Sequence, residues 1–319
     1  MQVVLLILGF VIIIKASDLL VDASSALATR LRVPKMLIAL TIAAFGTCAP
    51  EIAISFQSVS AGNGEIAFAN VVGSCVVNVL LIIGLASFIK PIKIRHATIK
   101  KELPILVLIT SVFVILMLDS LFNPYTSDTF SRADGIVLLL LFGIFVVYLI
   151  QLFSKRTDVS QEELDKVSYT PFWAIFTIVV SIICIIYSSD IIVSMAEDIA
   201  LRLHISEKVI TMFAIVIGTS LPEMVMTVTS AKKGEFDIAI GNIIGTNIFN
   251  ICIVLGLPVI IYGNVLLTGF GIIDIIMVFL SSALLFFFAR SEKTIDKKEA
   301  IIMLALFAIY YIFLLVEGY

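Results

Sequence analysis

Charge is scarce in this chain. Only 14% of its 319 residues are Asp, Glu, Lys or Arg, while 61% are hydrophobic. A soluble fold carries about 25% charged residues, so a water-soluble globular protein is excluded. Histidine is nearly missing. His96 and His204 are the only two, and both fall between apolar segments, which excludes an intramembrane His-ligated zinc site. Cys48, Cys75, Cys184 and Cys252 all lie in apolar runs and none forms a CxxC pair. Small buried residues describe them better than disulfides or metal ligands. The net charge of −3 carries little information for a protein of this composition.

Long apolar runs dominate instead. Stretches of roughly 18 or more apolar residues recur, the signature of a polytopic membrane protein. Ten helices are expected, at about 2–31, 35–61, 65–89, 103–119, 134–153, 171–203, 207–231, 236–262, 266–289 and 299–316. The first has no basic segment before its apolar run, so it reads as a mature helix rather than a signal peptide. Basic residues set the orientation. Of the 21 Lys and Arg residues, 17 fall on one side, among them Arg30, Lys35, Arg95, Lys155 and Lys233. Arg132, Arg202 and Lys208 fall on the other, and Lys15 lies within the first helix. The richer side is expected to be cytoplasmic, which places both termini outside.

The chain also repeats itself. Gly46-Thr47-Cys48-Ala49-Pro50-Glu51 returns as Gly218-Thr219-Ser220-Leu221-Pro222-Glu223, at an offset of 172 residues. The same offset relates Asp18 to Asp190, Asn70 to Asn242, Gly73 to Gly245 and Asn78 to Asn250. The division expected is a first five-helix repeat over 1–153, a cytoplasmic linker over 154–170, and a second repeat over 171–319. The repeated motifs span 43–85 and 215–257. Five is odd, so the two halves run through the membrane in opposite directions. Inverted repeats of this kind mark secondary transporters, with the site near the midplane.

Thr47 and Glu51 are four residues apart, as are Thr219 and Glu223, so hydroxyl and carboxylate share a helix face. Pro50 and Pro222 remove an N–H, which should free the carbonyls of Gly46 and Gly218 and break the helix. Each Glu then sits in the first turn of the second segment, where the dipole favours an anion. In the next helix Asn70, Ser74 and Asn78 form a polar stripe spaced by four, and Asn242, Thr246 and Asn250 repeat it. Apart from Cys48 the donors are oxygens, which selects hard cations such as Na⁺, Ca²⁺ or Mg²⁺. Two carboxylates balance one divalent or two monovalent ions. The site can also take protons, because desolvation favours the neutral carboxyl. Interhelical hydrogen bonding is the competing reading for Asn70 and Asn242. Asp18 and Asp190 read as capping or rim residues, with Lys15 placed to pair with Asp18. Glu102 and Asp274 read as charges at helix N-termini, and Trp173 as an interfacial anchor.

These residues resemble the calcium/cation antiporter superfamily, and most closely the prokaryotic Na⁺/Ca²⁺ exchangers. That family carries GTSxPE followed by a GNxxGSNxxN-like stretch, twice. Here the pairs are GTCAPE with ANVVGSCVVN and GTSLPE with GNIIGTNIFN. The resemblance spans nearly the whole chain and implies an all-α integral membrane fold of ten transmembrane helices with broken helices at the repeat interface. It implies Ca²⁺ bound by Glu51 and Glu223 with Thr47 and Thr219. One flanking Na⁺ site would use Glu51, Thr219, Ser220, Thr246 and the carbonyl of Val216. The other would use Glu223, Thr47, Ser74 and the carbonyl of Ala44. Asn78 and Asn250 would sit between the two Glu side chains, and the first and sixth helices would slide as a gate.

Two positions depart from the family pattern. Cys48 replaces the usual Ser, and a thiol is a poor ligand for hard cations. Asn250 stands where close relatives can carry Asp, leaving two central carboxylates. The expected function is Ca²⁺/Na⁺ antiport across the cytoplasmic membrane. An H⁺- or K⁺-coupled antiporter is the near alternative. A passive channel would need a selectivity-filter signature and an intramembrane aspartyl protease a GxGD pair, and neither occurs. No cofactor is expected. The partners are the transported cations and membrane lipid, with no nucleic acid or soluble protein implied.

Overall fold

A computed structural model of the protein describes residues 2–119, 128–155, 164, 167, 169–202, 218–267 and 272–317. These residues are almost entirely helical. In chain order the helices are α1 (Gln2–Leu31), α2 (Lys35–Thr47), α3 (Ala49–Ser60), α4 (Gly64–Ile89), α5 (His96–Lys100), α6 (Glu102–Leu116), α7 (Arg132–Ser154), α8 (Pro171–Arg202), α9 (Leu221–Lys233), α10 (Phe236–Tyr262), α11 (Ile272–Ser291) and α12 (Lys297–Glu317). Among the described residues six are long and apolar enough to cross a membrane, and the bent pair α2–α3 makes a seventh. A helix is described within each of the ten expected positions. The seventh helix is described only from Gly218 onward, so its expected start at 207 lies outside, as does most of the linker.

The helices are Ile-, Leu-, Val- and Phe-rich on all sides, which suits segments whose backbone must be satisfied internally. Buried packing concentrates on α4 and α10. About 80% of their most apolar stretches is buried, against 22% for α7 and α12. The two repeated motifs therefore form the centre, and helices such as α7 and α12 surround them.

Two short antiparallel ladders join the halves at opposite ends. Strand β1 (Ile92–Lys93) follows α4, and its partner β4 (Thr294–Ile295) precedes α12. Strand β3 (Val265–Leu266) follows α10, and its partner β2 (Thr129–Phe130) precedes α7. Each ladder is thus the copy of the other with the halves exchanged. Leu266, expected to open the ninth helix, lies instead in the strand Val265–Leu266, and that helix is described from Ile272. The turns repeat as well. Gly62 and Gly234 follow α3 and α9 with φ of +80° and +79°, a left-handed conformation that favours glycine.

Some pairs at offset 172 touch each other. Thr110 and Ser282 hydroxyls are 3.2 Å apart, and the Asn247 amide donates to the Cys75 carbonyl at 3.4 Å. A residue that meets its own counterpart lies on the axis relating the halves.

The α2–α10 crossing is close. A Cβ on Gly245 would lie 2.7 Å from the Ala44 Cβ and 3.0 Å from the Leu40 Cα, and one on Gly241 would lie 2.7 Å from the Ala39 Cβ. Small residues four apart let the two backbones approach. Gly245→Val is expected to cost about 1–3 kcal/mol through overpacking. It should lower the thermal unfolding midpoint of the purified protein, whereas Gly143→Ala, at a position with open space, should not. A Gly245→Val protein as stable as the parent would refute the tight crossing.

Candidate cation site

The site begins at the break between α2 and α3. Cys48 leaves the helical region (φ −72°, ψ 0°), and the two segments are bent by 49°. Ser220 does the same before α9 (φ −85°, ψ 2°). Pro50 and Pro222 then open the following helices, with Glu51 and Glu223 in their first turns. The expected break is present, but one expected consequence is not. The Gly46 carbonyl is not free, because a backbone N–H at the cap takes it. The Ala44 carbonyl likewise accepts the Cys48 N–H at 3.1 Å and the Thr47 hydroxyl at 3.2 Å. Omitting the single N–H of Pro50 is repaired by tightening one turn, so the chain bends without unwinding. Val216 lies outside the described residues.

Helices α4 and α10 each contain a wide π-helical turn. These run over Val77–Ile83 and Asn250–Leu255, so Asn78 and Asn250 fall at the same place in their repeats. Such turns insert a residue into an α-helix and recur at functional sites. The π turn of Asn78 packs on α9, which carries Glu223, and the π turn of Asn250 packs on α3, which carries Glu51. The halves therefore interlock around one centre.

Glu51 and Glu223 are both 0% exposed. They act on each other electrostatically, and each faces a hydroxyl of the opposite half: Thr219 beside Glu51, Thr47 beside Glu223. No formed hydrogen bond reaches any of the four carboxylate oxygens. The hydroxyls of Ser74, Ser220 and Thr246, the Asn78 Oδ1 and both amide atoms of Asn250 are also buried and unpartnered. These are ten polar atoms. At about 1–3 kcal/mol for each unmade hydrogen bond, they would cost as much as the roughly 5–15 kcal/mol that holds a domain together. Such a concentration of orphaned atoms, nine of them oxygens, fits a dehydrated hard cation.

Not every expected residue joins this centre. Asn70 accepts from Thr219 at 3.2 Å, and Asn242 donates to Thr227 at 3.3 Å; these are interhelical bonds. Cys48 is wholly buried, lies in the field of both carboxylates and has its thiol 4.0 Å from the Thr246 carbonyl. Asp18 pairs with Lys233 at 3.5 Å rather than with Lys15, which points outward and is exposed. Glu102 and Asp274 do sit in first helical turns, but both are buried, and they accept from the hydroxyls of Tyr148 and Tyr310. They serve as anchors between helices, not as exposed dipole charges. Asn247 was missed by motif reading. It is fully buried and accepts from the Asn78 amide at 2.9 Å. Its signal was available: it is the extra polar residue of GTNIFN, opposite Cys75 in the other copy.

Two open clefts among the described residues lie elsewhere. One of about 520 Å³ is lined by the Gly62–Ile66 turn and Tyr262–Leu266, and one of about 370 Å³ by Lys93–Arg95 and Gly234–Asp237. They are counterparts at opposite ends of the molecule. Neither is lined by the carboxylates, which are 0% exposed.

Comparison with known proteins agrees with this geometry. The family described as sodium/calcium exchanger protein matches residues 1–151 and 173–316. The chain is 34% identical over 316 residues to the putative antiporter CaxA of Alkalimonas amylolytica, covering 96% of each. It is 29% identical over 290 residues to the sodium/calcium exchanger MaX1 of Methanosarcina acetivorans, covering 81% of this chain and 82% of the relative. A solved structure of the sodium-calcium exchanger NCX_Mj, soaked with 100 mM Na⁺ and 10 mM Sr²⁺, superposes with a TM-score of 0.82 at 27% identity, over 97% of this chain and 96% of that one. Two inverted halves, two buried Pro-Glu breaks and a match along both halves lead to one conclusion: the chain belongs to the sodium/calcium exchanger family, a group of multi-pass membrane transporters and not of enzymes.

Proposed function

We propose that the protein exchanges Ca²⁺ for Na⁺ across the cytoplasmic membrane by alternating access. The observation that carries this reading is the pair Glu51 and Glu223, fully buried, from equivalent breaks, with the hydroxyls of Thr219 and Thr47 beside them. Ca²⁺ is held between them with Thr47 and Thr219. Na⁺ occupies the flanking positions formed by Ser220 and Thr246 with Glu51, and by Ser74 with Glu223; the carbonyls of Val216 and Ala44 are the further ligands, the latter once it releases the Thr47 hydroxyl that it accepts here. Asn78 and Asn250 separate the carboxylates. Both termini face away from the cytoplasm in this reading.

A closed site requires a moving part. Helices α1 and α8 pack along each other. The motif glycines Gly46 and Gly218 both abut α8, at Ile182 and Val193, so the broken segments offer that helix a surface without side chains. Helix α1 is tied to α9 by Lys233 with Asp22 at 2.7 Å, and to the turn after it by Ser25 with Glu235 at 3.1 Å. Sliding of α1 and α8 would break these ties and open the side that carries most of the basic residues. A second reading, H⁺-coupled exchange, draws on Cys48: a thiol replaces one hydroxyl that the Na⁺ sites would use.

Vesicles loaded with Na⁺ and diluted into Na⁺-free buffer should take up Ca²⁺. A pH jump without Na⁺ should not drive uptake. Uptake that follows only the pH gradient would establish the H⁺-coupled reading instead. Glu51→Gln and Glu223→Gln should each reduce Ca²⁺ exchange at least about 100-fold, since losing one buried charge partner costs about 3–5 kcal/mol. Near-normal exchange in both variants would sink the site. Cys48→Ser should raise apparent Na⁺ affinity several-fold, and an unchanged Na⁺ dependence would place that side chain outside the site.

A further inference from the structure

The halves agree at most site positions and differ at the third residue of GTNIFN and GSCVVN. Asn247 and Cys75 occupy the same place in their repeats, 172 residues apart. Asn247 is fully buried; its Nδ2 donates to the Cys75 carbonyl at 3.4 Å, and its Oδ1 accepts from the Asn78 Nδ2 at 2.9 Å.

The chemistry of this chain of bonds has one direction. A backbone carbonyl can only accept, so it must face the NH₂ end of Asn247. That places the Asn247 oxygen toward Asn78. An amide oxygen also only accepts, so Asn78 must offer its nitrogen. Asn78 is left with a single free atom, Oδ1, buried and unpartnered. An oxygen there can ligate a cation, whereas an NH₂ would bond a carboxylate and compete with the cation.

The second half has no such lock. The residue that would orient Asn250 is Cys75, whose thiol is at best a weak acceptor. Both amide atoms of Asn250 are buried and unpartnered. We infer that Asn247 is a positioning residue that holds Asn78 with its oxygen toward the cation, while Asn250 remains free to turn its oxygen to a bound cation or its nitrogen to a bare carboxylate. The inference rests on the cation-site reading above for its functional meaning, and on the hydrogen bonds alone for its structural part. The centre is then chemically lopsided despite its symmetric sequence: one amide is a fixed ligand and the other adapts to the occupancy of the site.

Two measurements test it. The first needs no ion and no transport. In ¹⁵N-asparagine-labelled protein, the side-chain amide signals of Asn78 and Asn250 are identified by their loss in Asn78→Ser and Asn250→Ser. The Asn78 amide protons should exchange with water at least about tenfold more slowly than those of Asn250. That protection should vanish in Asn247→Ala, and Cys75→Asn should slow Asn250 to the rate of Asn78. Equal rates in the parent protein, or protection that survives Asn247→Ala, overturn the lock. If Asn247→Ala fails to fold, the parent comparison and Cys75→Asn decide alone. The second measurement is Ca²⁺ affinity by calorimetry. Asn247→Ala should weaken binding about tenfold in the parent and less than about twofold in an Asn78→Ala background, the non-additivity of residues acting through one another. A full loss in both backgrounds would overturn the positioning role. If the parent binds no Ca²⁺, the cation reading fails while the exchange rates still decide the lock.

Discussion

Two carboxylates removed from water and facing one another are the constraint around which the molecule is built. Each would be costly alone in a hydrocarbon layer, and together they repel. Every local irregularity near them answers this problem. The Pro-Glu breaks put each carboxylate in a first helical turn, where the dipole is favourable. The π turns at Asn78 and Asn250 fall where each half meets the broken helix of the other. The small residues of α10 bring α2 close enough for the two halves to share one centre. The uniform apolar helices elsewhere provide the rigid, dry surroundings that keep such a centre selective.

The same packing that buries the site also decides where motion can occur. Around α4 and α10 the core is dense and hydrogen-bonded across the halves. At α8 the motif glycines make the contact, and α1, besides its packing on α8 and α9, is held to α9 by the ion pairs of Asp18 and Asp22 with Lys233. Partly exposed ion pairs contribute little stability each. They can fix a resting position and still give way, which a hydrocarbon interface between α4 and α10 could not.

Much of this was legible in the sequence because the membrane imposes strong rules. Apolar runs located the helices, and the fixed offset gave the repeat. The Pro-Glu motif identified the two breaks. What was not legible depended on three-dimensional satisfaction of hydrogen bonds. The Gly46 carbonyl looked free because Pro50 cannot donate to it, yet a neighbouring N–H takes it. Glu102 and Asp274 looked like ordinary N-terminal charges, because nothing in the sequence ties Tyr148 or Tyr310 to them. Lys15 stood at the right spacing for Asp18, but Lys233, more than 200 residues away, reaches it instead. Asn247 stands opposite a cysteine, so agreement between the two copies does not single it out.

The contact between Thr110 and Ser282 has a consequence of another kind. These are one position met by its own copy, the arrangement that a two-fold assembly of identical units produces. In an assembly of two identical five-helix chains inserted in opposite senses, any substitution at that position would strike both sides of the seam at once. Joining the units on one chain removes that linkage. Each side can then change alone, and threonine facing serine, or asparagine facing cysteine, is the trace of that freedom. A fused pair can give its two halves different work at a shared centre, and a pair of separate identical chains cannot.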